Sequence, residues 1–204
     1  MPDGAQHVAF AYSADGKDRF TTVWPNLNLL DGTKDFSGDW VNVEGWTDDG
    51  TYKGLAVKKT VKPWTGIYKT FTVPKDGAYT FSAYIKNAGT AANVIRFSLL
   101  NGSDLSSVKK VIGNNFDWTR DSVTLKLKAN DKVSARYEMN DSGTDSALWT
   151  AGHKWEEGST STLYMPSFSE VTASDYPSYI GTYIDNDSNA QSTDPARYTW
   201  KKIE

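Results

Sequence analysis

The residues of this chain that could bind a ligand are aromatic, and three of its eight tryptophans stand among polar or turn-forming residues. These are Trp46, Trp64 and Trp118, and Tyr52 lies close to Trp46 along the chain. An exposed aromatic ring can stack on the apolar face of a sugar ring, while nearby Asp, Asn, Arg and Lys side chains bind the hydroxyl groups. We therefore take these four as candidate stacking residues. The alternative is that each ring caps an end of the hydrophobic core.

The sequence offers little material for catalysis. His7 and His153 are its only histidines, it has no cysteine, and it contains neither a Gly-x-Ser-x-Gly turn nor a phosphate-binding glycine loop. The acidic pairs at 48–49 and 156–157 are sequence neighbours, which point to opposite faces of a strand and make poor acid and base couples. No catalytic residue is predicted, although 25 acidic residues leave a hydrolase open as a third reading.

Composition excludes several classes of partner. The chain has 204 residues, with 22 Lys and Arg against 25 Asp and Glu, and a net charge of -3. This balance gives no electrostatic reason to expect nucleic acid as a partner. No apolar run approaches the length of about 18 residues that suggests a membrane helix, so membrane insertion is not expected. The absence of cysteine excludes disulfides and Cys-ligated zinc.

The elements that must position these residues are predicted to be strands. Asp outnumbers Glu 19 to 6, and apolar and polar residues alternate from 77 to 86 after the turn sequence at 74–77. No amphipathic helix of three turns is found. Similar alternating runs are 55–61, 67–73, 94–100, 122–127, 133–139, 148–155 and 161–168. Eight strands at this spacing predict an all-β, two-sheet sandwich.

Alternation also assigns side chains to faces. In the runs 94–100 and 133–139, the apolar sets predicted to face the core leave Arg96, Arg136 and Glu138 outside. Tyr84 falls on the outer face of its own run. If these strands share one sheet, the predicted polar groove is lined by Tyr84, Arg96, Arg136 and Glu138; the alternative is an ordinary solvated face.

The same argument predicts two core tryptophans in the run 148–155. Trp149 and Trp155 are an even number of residues from Ala151 and His153, so all four are expected on the same face of that strand. We therefore expect both indoles to be buried rather than available for stacking.

The two ends of the chain differ from its middle. Short strands are expected at 7–12 and 19–24, and again at 179–183 and 198–200. An isolated hairpin is marginal in water, so the ends are expected to pair with each other. The predicted division is a flanking segment at 1–24, a sandwich at 25–175 and a second flank at 176–204. The alternative is that both flanks order only within a larger assembly.

The middle of the chain resembles the jelly-roll carbohydrate-binding modules of families four and nine. The resemblance covers most of residues 26–173. It rests on Asn28-Leu29-Leu30, Phe36, Trp40, Trp64-Thr65-Gly66, the run 79–86, Trp118-Thr119-Arg120 and the run 154–159. The flanks resemble a recurring segment of minor tail and baseplate proteins from phages of Gram-positive bacteria. That second resemblance rests on 11–16, 179–183, 192–195 and 198–200.

These resemblances imply a jelly-roll β-sandwich in a phage tail or baseplate protein of the virion. They imply noncatalytic binding of a host cell-surface polysaccharide and association with other tail or baseplate proteins. A purely structural module, acting as spacer or oligomer contact, is the alternative. No cofactor is implied. The family resemblance is compatible with a structural calcium ion, but Ala190 and Ala196 stand at key positions of the segment 185–196, which therefore fails the EF-hand pattern.

Overall fold

The structure is a computed structural model that describes residues 4–141 and 145–204. It divides into two compact units: Leu27–Glu170, and the chain up to Asn26 together with Val171–Glu204. The strands are β1 (Ala5–Ala11), β2 (Thr47–Tyr52), β3 (Leu55–Thr60), β4 (Phe71–Thr72), β5 (Gly77–Ala88), β6 (Val94–Leu100), β7 (Ser103–Asp104), β8 (Lys110–Gly113), β9 (Phe116–Leu127), β10 (Lys132–Met139), β11 (Ala147–Glu157), β12 (Tyr179–Asp185) and β13 (Thr199–Lys202).

Helical structure in the described part of the chain is limited to 3-10 turns of three residues. These turns are Val43–Gly45, Ser106–Val108, Ala173–Asp175 and Pro195–Arg197. At 2.0 Å per residue, a turn of this length spans about 6 Å. None of the described helices could therefore cross a bilayer.

The larger unit contains two antiparallel sheets. Sheet I has the order β2-β3-β11-β5-β9, and sheet II has the order β4-β10-β6-β7, with β8 also paired to β6. The predicted all-β sandwich is confirmed. Three predicted strands are wrong in extent: 161–168 keeps only a bridge at Ser167, 67–73 keeps only β4 and a bridge at Tyr68, and 19–24 keeps only a bridge at Thr21.

The core lies between the two sheets and is rich in aromatic residues. Tyr79, Phe81 and Ile85 point into it from β5, as the alternation predicts, and Trp155 of β11 is 0% exposed. The Trp155 ring lies 5.3 Å from that of Phe81. Burial at this level stabilises the fold by about 2 kcal/mol or more per large side chain.

A β-bulge in β11 changes which face of sheet I its alternate side chains point to. The register of β11 against β5 shifts between Ala151 and Lys154, and Gly152 has a φ of +62°. Gly tolerates this left-handed backbone, whereas a Cβ at position 152 would stand 2.9 Å from Leu55 Cδ1. Because of the extra residue, Trp155 faces the core while Trp149 faces the opposite side of sheet I. The prediction that Trp149 is a core residue is therefore wrong.

The smaller unit is a three-stranded sheet with the order β1-β12-β13. β1 pairs with β12 over its whole length, from Ala5 opposite Asp185 to Ala11 opposite Tyr179. His7 is buried beneath this sheet edge, where its Nε2 lies 2.8 Å from Asp185 Oδ1 and its ring stacks on Tyr183. The flanks of the sequence thus form one sheet from distant parts of the chain.

Candidate functional site

The outer side of sheet I, away from the core, carries a second cluster of aromatic side chains. We call this surface the aromatic face and define it by Tyr52, Tyr84, Trp118 and Trp149. Leu55, Val57 and Ala151 pack beneath these rings. Tyr84 is buried in the cluster, while the other three rings are partly exposed. Partly exposed rings over an apolar floor can stack on a flat ligand.

Trp149 stands in the middle of this face, between two lysines. The register places Lys59 of β3 on one side of it and Lys86 of β5 on the other. The Lys59 and Lys86 ammonium groups lie 5.2 and 4.7 Å from the centroid of the indole. Trp149 Nε1 donates a hydrogen bond of 2.6 Å to Asp49 Oδ2. The ring is therefore held at its polar edge and surrounded by cations.

Tyr52 and Trp118 form the second aromatic element of the face. Their rings stack with centroids 4.3 Å apart and planes 12° apart, and Tyr84 meets Tyr52 edge-on at 5.1 Å. Tyr52 reaches this position from the tip of the β2-β3 hairpin, whose two turn residues both have positive φ, as a type I′ turn requires. Burial, followed by the neighbouring Tyr84 and Asp117, raises the pKa of Tyr52.

Arg120 of β9 lies under these rings. Its Cζ is 4.4 Å from the Tyr84 ring, and its Nη2 donates to Ser82 Oγ at 2.9 Å and to the Gly152 carbonyl at 3.1 Å. Burial lowers the pKa of this guanidinium. Its Nε and Nη1 are buried and make no hydrogen bond within residues 4–141 and 145–204.

A buried ion pair anchors the segment that borders the aromatic face. Lys154 Nζ donates to Thr162 Oγ1 at 2.8 Å and to the Leu163 carbonyl at 2.7 Å, and it lies 3.5 Å from Glu156 Oε2. Burial lowers the pKa of Lys154 to about 8, although Glu156 opposes this shift. Thr162 in turn donates to Glu156 from its hydroxyl at 2.6 Å. The pair thus fixes the irregular segment 161–166, whose Tyr164 packs against the aromatic face.

The outer side of sheet II carries a different group of predicted site residues. Trp64 is 56% exposed and lies 6.2 Å from the Phe97 ring. The guanidinium of Arg136 lies 5.1 Å from the same ring. Glu138 is buried, because Gly66 crosses over it and donates its N–H to Oε2 at 2.8 Å. The proposed groove is therefore split, because Tyr84 belongs to sheet I, whereas Arg136 and Glu138 belong to sheet II.

Two predicted site residues are buried in the sandwich, so their expected exposure is wrong. Trp46 is 6% exposed and belongs to the core, with its Nε1 donating to the Thr65 carbonyl at 2.6 Å. Arg96 points between the sheets, where Nη1 donates to Asp121 Oδ2 at 2.7 Å. The outward set of β6 is instead the apolar one that contains Phe97. An internal ion pair thus outweighs the alternation rule on this strand.

Sequence reasoning missed Trp149, Lys59 and Lys86 as members of one surface. A glycine inside a strand pattern marks a bulge, so Gly152 was the signal that the parity of β11 changes. His153, which follows it, is buried among aromatic rings, and burial lowers its pKa to about 3. This histidine is inaccessible to a substrate. No group of three or more His, Asp or Glu side chains in the described chain is arranged to hold a metal ion.

The architecture defines a two-sheet β-sandwich accompanied by a small three-stranded sheet. A solved structure with this fold is the tripod (BppUct-A-L) from the baseplate of bacteriophage Tuc2009. It matches with a TM-score of 0.64 and 24% identity over 100% of this chain and 80% of that one. The similarity to a phage baseplate protein predicted from the sequence is therefore confirmed at the level of the fold.

Other matches cover about two thirds of the chain at lower scores. The CBM22-1 xylan-binding domain of Paenibacillus barcinonensis Xyn10C matches with a TM-score of 0.48 and 14% identity, over 68% of this chain and 99% of that one. TmCBM61, in complex with beta-1,4-galactotriose, matches with a TM-score of 0.49 and 10% identity, over 65% of this chain and 100% of that one. No protein-family model matches the sequence, and no curated protein matches it.

Proposed function

We propose that this chain is a noncatalytic glycan-binding module of a phage tail or baseplate, and that it recognises host cell-wall polysaccharide during adsorption. The observation that carries this proposal is the aromatic face, with Trp149 and the stacked Tyr52–Trp118 pair among polar side chains. The fold shared with a baseplate protein supports the location in the virion. Other tail or baseplate proteins are the proposed assembly partners.

The spacing of the aromatic residues fits an extended sugar chain. Trp149 is on β11 and Trp118 is on β9, which are separated by β5 in sheet I. Two strand spacings are about 10 Å, roughly the length of a disaccharide unit. A glycan lying across the strands could therefore meet both aromatic elements, with Lys86 between them. Stacking buries apolar area at about 25 cal/mol per Å².

The test compares Trp149→Ala with Trp64→Ala, which removes an exposed indole from the outer side of sheet II as a matched control. We expect Trp149→Ala to weaken binding to extracted host polysaccharide about tenfold, or about 1.4 kcal/mol. Trp64→Ala should bind like the parent, and thermal unfolding checks that both variants fold. Calorimetry and a reducing-end assay are run on the same samples, and no reducing ends should be released.

Each other result rejects a specific part of the proposal. Loss of binding only in Trp64→Ala would move the site to sheet II, where Arg136 lies. Failure of the parent to bind any host polysaccharide would favour the structural module. Sustained release of reducing ends would identify a hydrolase.

A further inference from the structure

The lysines of the aromatic face are notable for their lack of acidic partners. Lys59 and Lys86 are partly buried beside Trp149. Lys53 lies 5.7 Å from the Tyr52 ring and 5.6 Å from the Tyr84 ring. In the part of the chain that the structure describes, none of these three ammonium groups is within ion-pair distance of a carboxylate. Their positive charge is therefore available to a ligand.

The balance of charge on this face is positive, in contrast to the chain as a whole. Arg120 adds a fourth cation beneath the rings. The carboxylates near the rings are Asp49, which is hydrogen-bonded to Trp149, and Asp117, which is close enough to raise the pKa of Tyr52. Glu156, which acts on Arg120, is itself paired with Lys154. The entire chain has a net charge of -3. The aromatic face is thus positive although the whole chain is negative. This uneven distribution of charge gives the face a positive electrostatic potential.

We propose that the aromatic face binds an acidic glycan, in which carboxylate or phosphate groups accompany the sugar rings. This inference rests on the proposed function and names the class of its ligand. Neutral hydroxyl groups can accept hydrogen bonds from lysines but leave their charge uncompensated. An anionic group forms a shorter and stronger charge-assisted hydrogen bond with the same ammonium.

The arrangement also suits a ligand with more than one acidic group. Lys59 on β3 and Lys86 on β5 flank β11, so their backbones are about 10 Å apart. Trp149 lies between them and supplies the surface for a sugar ring. One extended chain could therefore place a ring on the indole and acidic groups on the lysines at either side. The aromatic ring and the cations act on different parts of the same ligand.

The test uses polysaccharides in matched acidic and neutral forms. The probes are polygalacturonate with its carboxyl-reduced form, phosphomannan with its dephosphorylated form, and extracted host polysaccharide. We expect the full chain to bind at least one acidic form about tenfold more tightly than its neutral counterpart. The pair that shows this preference distinguishes a carboxylate from a phosphate ligand. Raising the salt concentration from about 0.05 to about 0.5 M should weaken the binding, because charge interactions are screened.

Variants then locate the effect. Lys59→Gln and Lys86→Gln should each weaken binding to the preferred acidic form about fivefold, with little effect on the neutral form. Lys110→Gln, an exposed lysine on β8 of sheet II, is the matched control and should bind like the parent. Trp149→Ala should weaken binding to both forms.

The outcomes separate this inference from the proposed function. Equal binding of acidic and neutral forms would overturn the acidic-ligand inference and leave glycan binding intact. Binding of no polysaccharide in the panel would overturn both. An acidic preference that Lys110→Gln reduces as much as Lys86→Gln would indicate general charge attraction and would also overturn the inference.

Discussion

The buried Lys154 gives a prediction whose size follows from the structure. This side chain has no exposure and is held by Thr162 and Leu163 beside Glu156. Its pKa is about 8 in the folded chain, against 10.5 for an ordinary lysine. At about 1.4 kcal/mol per pKa unit, keeping it charged costs the fold about 3 kcal/mol at neutral pH. Lys154→Met removes the titrating group while keeping most of the side-chain volume.

The direction of the pH effect follows from the lowered pKa. Below pH of about 8, the folded and unfolded chains both hold the proton, so the cost is constant. Between pH of about 8 and about 10, the folded chain releases the proton while the unfolded chain keeps it. The contribution of Lys154 to the free energy of unfolding therefore rises with pH, by about 2 kcal/mol over this range.

The assay is urea unfolding followed by tryptophan fluorescence at several pH values between about 7 and 10. Subtracting the free energy of unfolding of Lys154→Met from that of the parent at each pH removes the effect of all other titrating groups. What remains is the rise with pH that Lys154 causes. Lys126→Met, a change of an exposed lysine on β9, should leave the rise intact. Parallel pH profiles for the parent and Lys154→Met would refute the reasoning. Should Lys154→Met not fold, Glu156→Gln should shift the rise to lower pH, because Glu156 raises the pKa of Lys154.

Two further predictions concern the stability of the sandwich. Trp155→Ala and Trp46→Ala should each lower the free energy of unfolding by about 3–5 kcal/mol, because both indoles lie in the core; a loss below about 1 kcal/mol in chemical denaturation would contradict their assigned burial. The fragment 27–170 should unfold in one cooperative thermal transition, because it contains both sheets and the core between them. A fragment without a cooperative transition would show that the flanking segments are needed for folding.

The fold could be predicted where side chains follow simple alternation. β5 and β10 place Tyr79, Phe81 and Tyr137 in the core, as expected from their spacing. β6 does not, because Arg96 is neutralised inside the sandwich by Asp121, a residue of another strand. A pairing between distant residues leaves no local trace in the sequence, so alternation alone assigned this strand to the wrong face.

The candidate site was less predictable than the fold, for geometric reasons. Tyr52 and Trp118 were expected as separate candidates, and their stacking depends on the reach of the β2-β3 hairpin. Alternation assigns Trp149 to the core, because it takes no account of the bulge at Gly152. Trp46 lies directly after a 3-10 turn whose backbone returns its indole to the core. Turns and bulges decide which face a side chain reaches, and they depend on single residues.

The bulge in β11 divides one strand into two parts whose tryptophans face opposite sides of sheet I. Before Gly152, the strand contributes Trp149 to the aromatic face; after it, the strand contributes Trp155 to the core. Before the bulge, a substitution at Trp149 changes the aromatic face, whereas Leu148 next to it packs into the core. After the bulge, a substitution at Trp155 acts on stability. The aromatic face can therefore vary at Trp149 along the same strand that keeps the sandwich together.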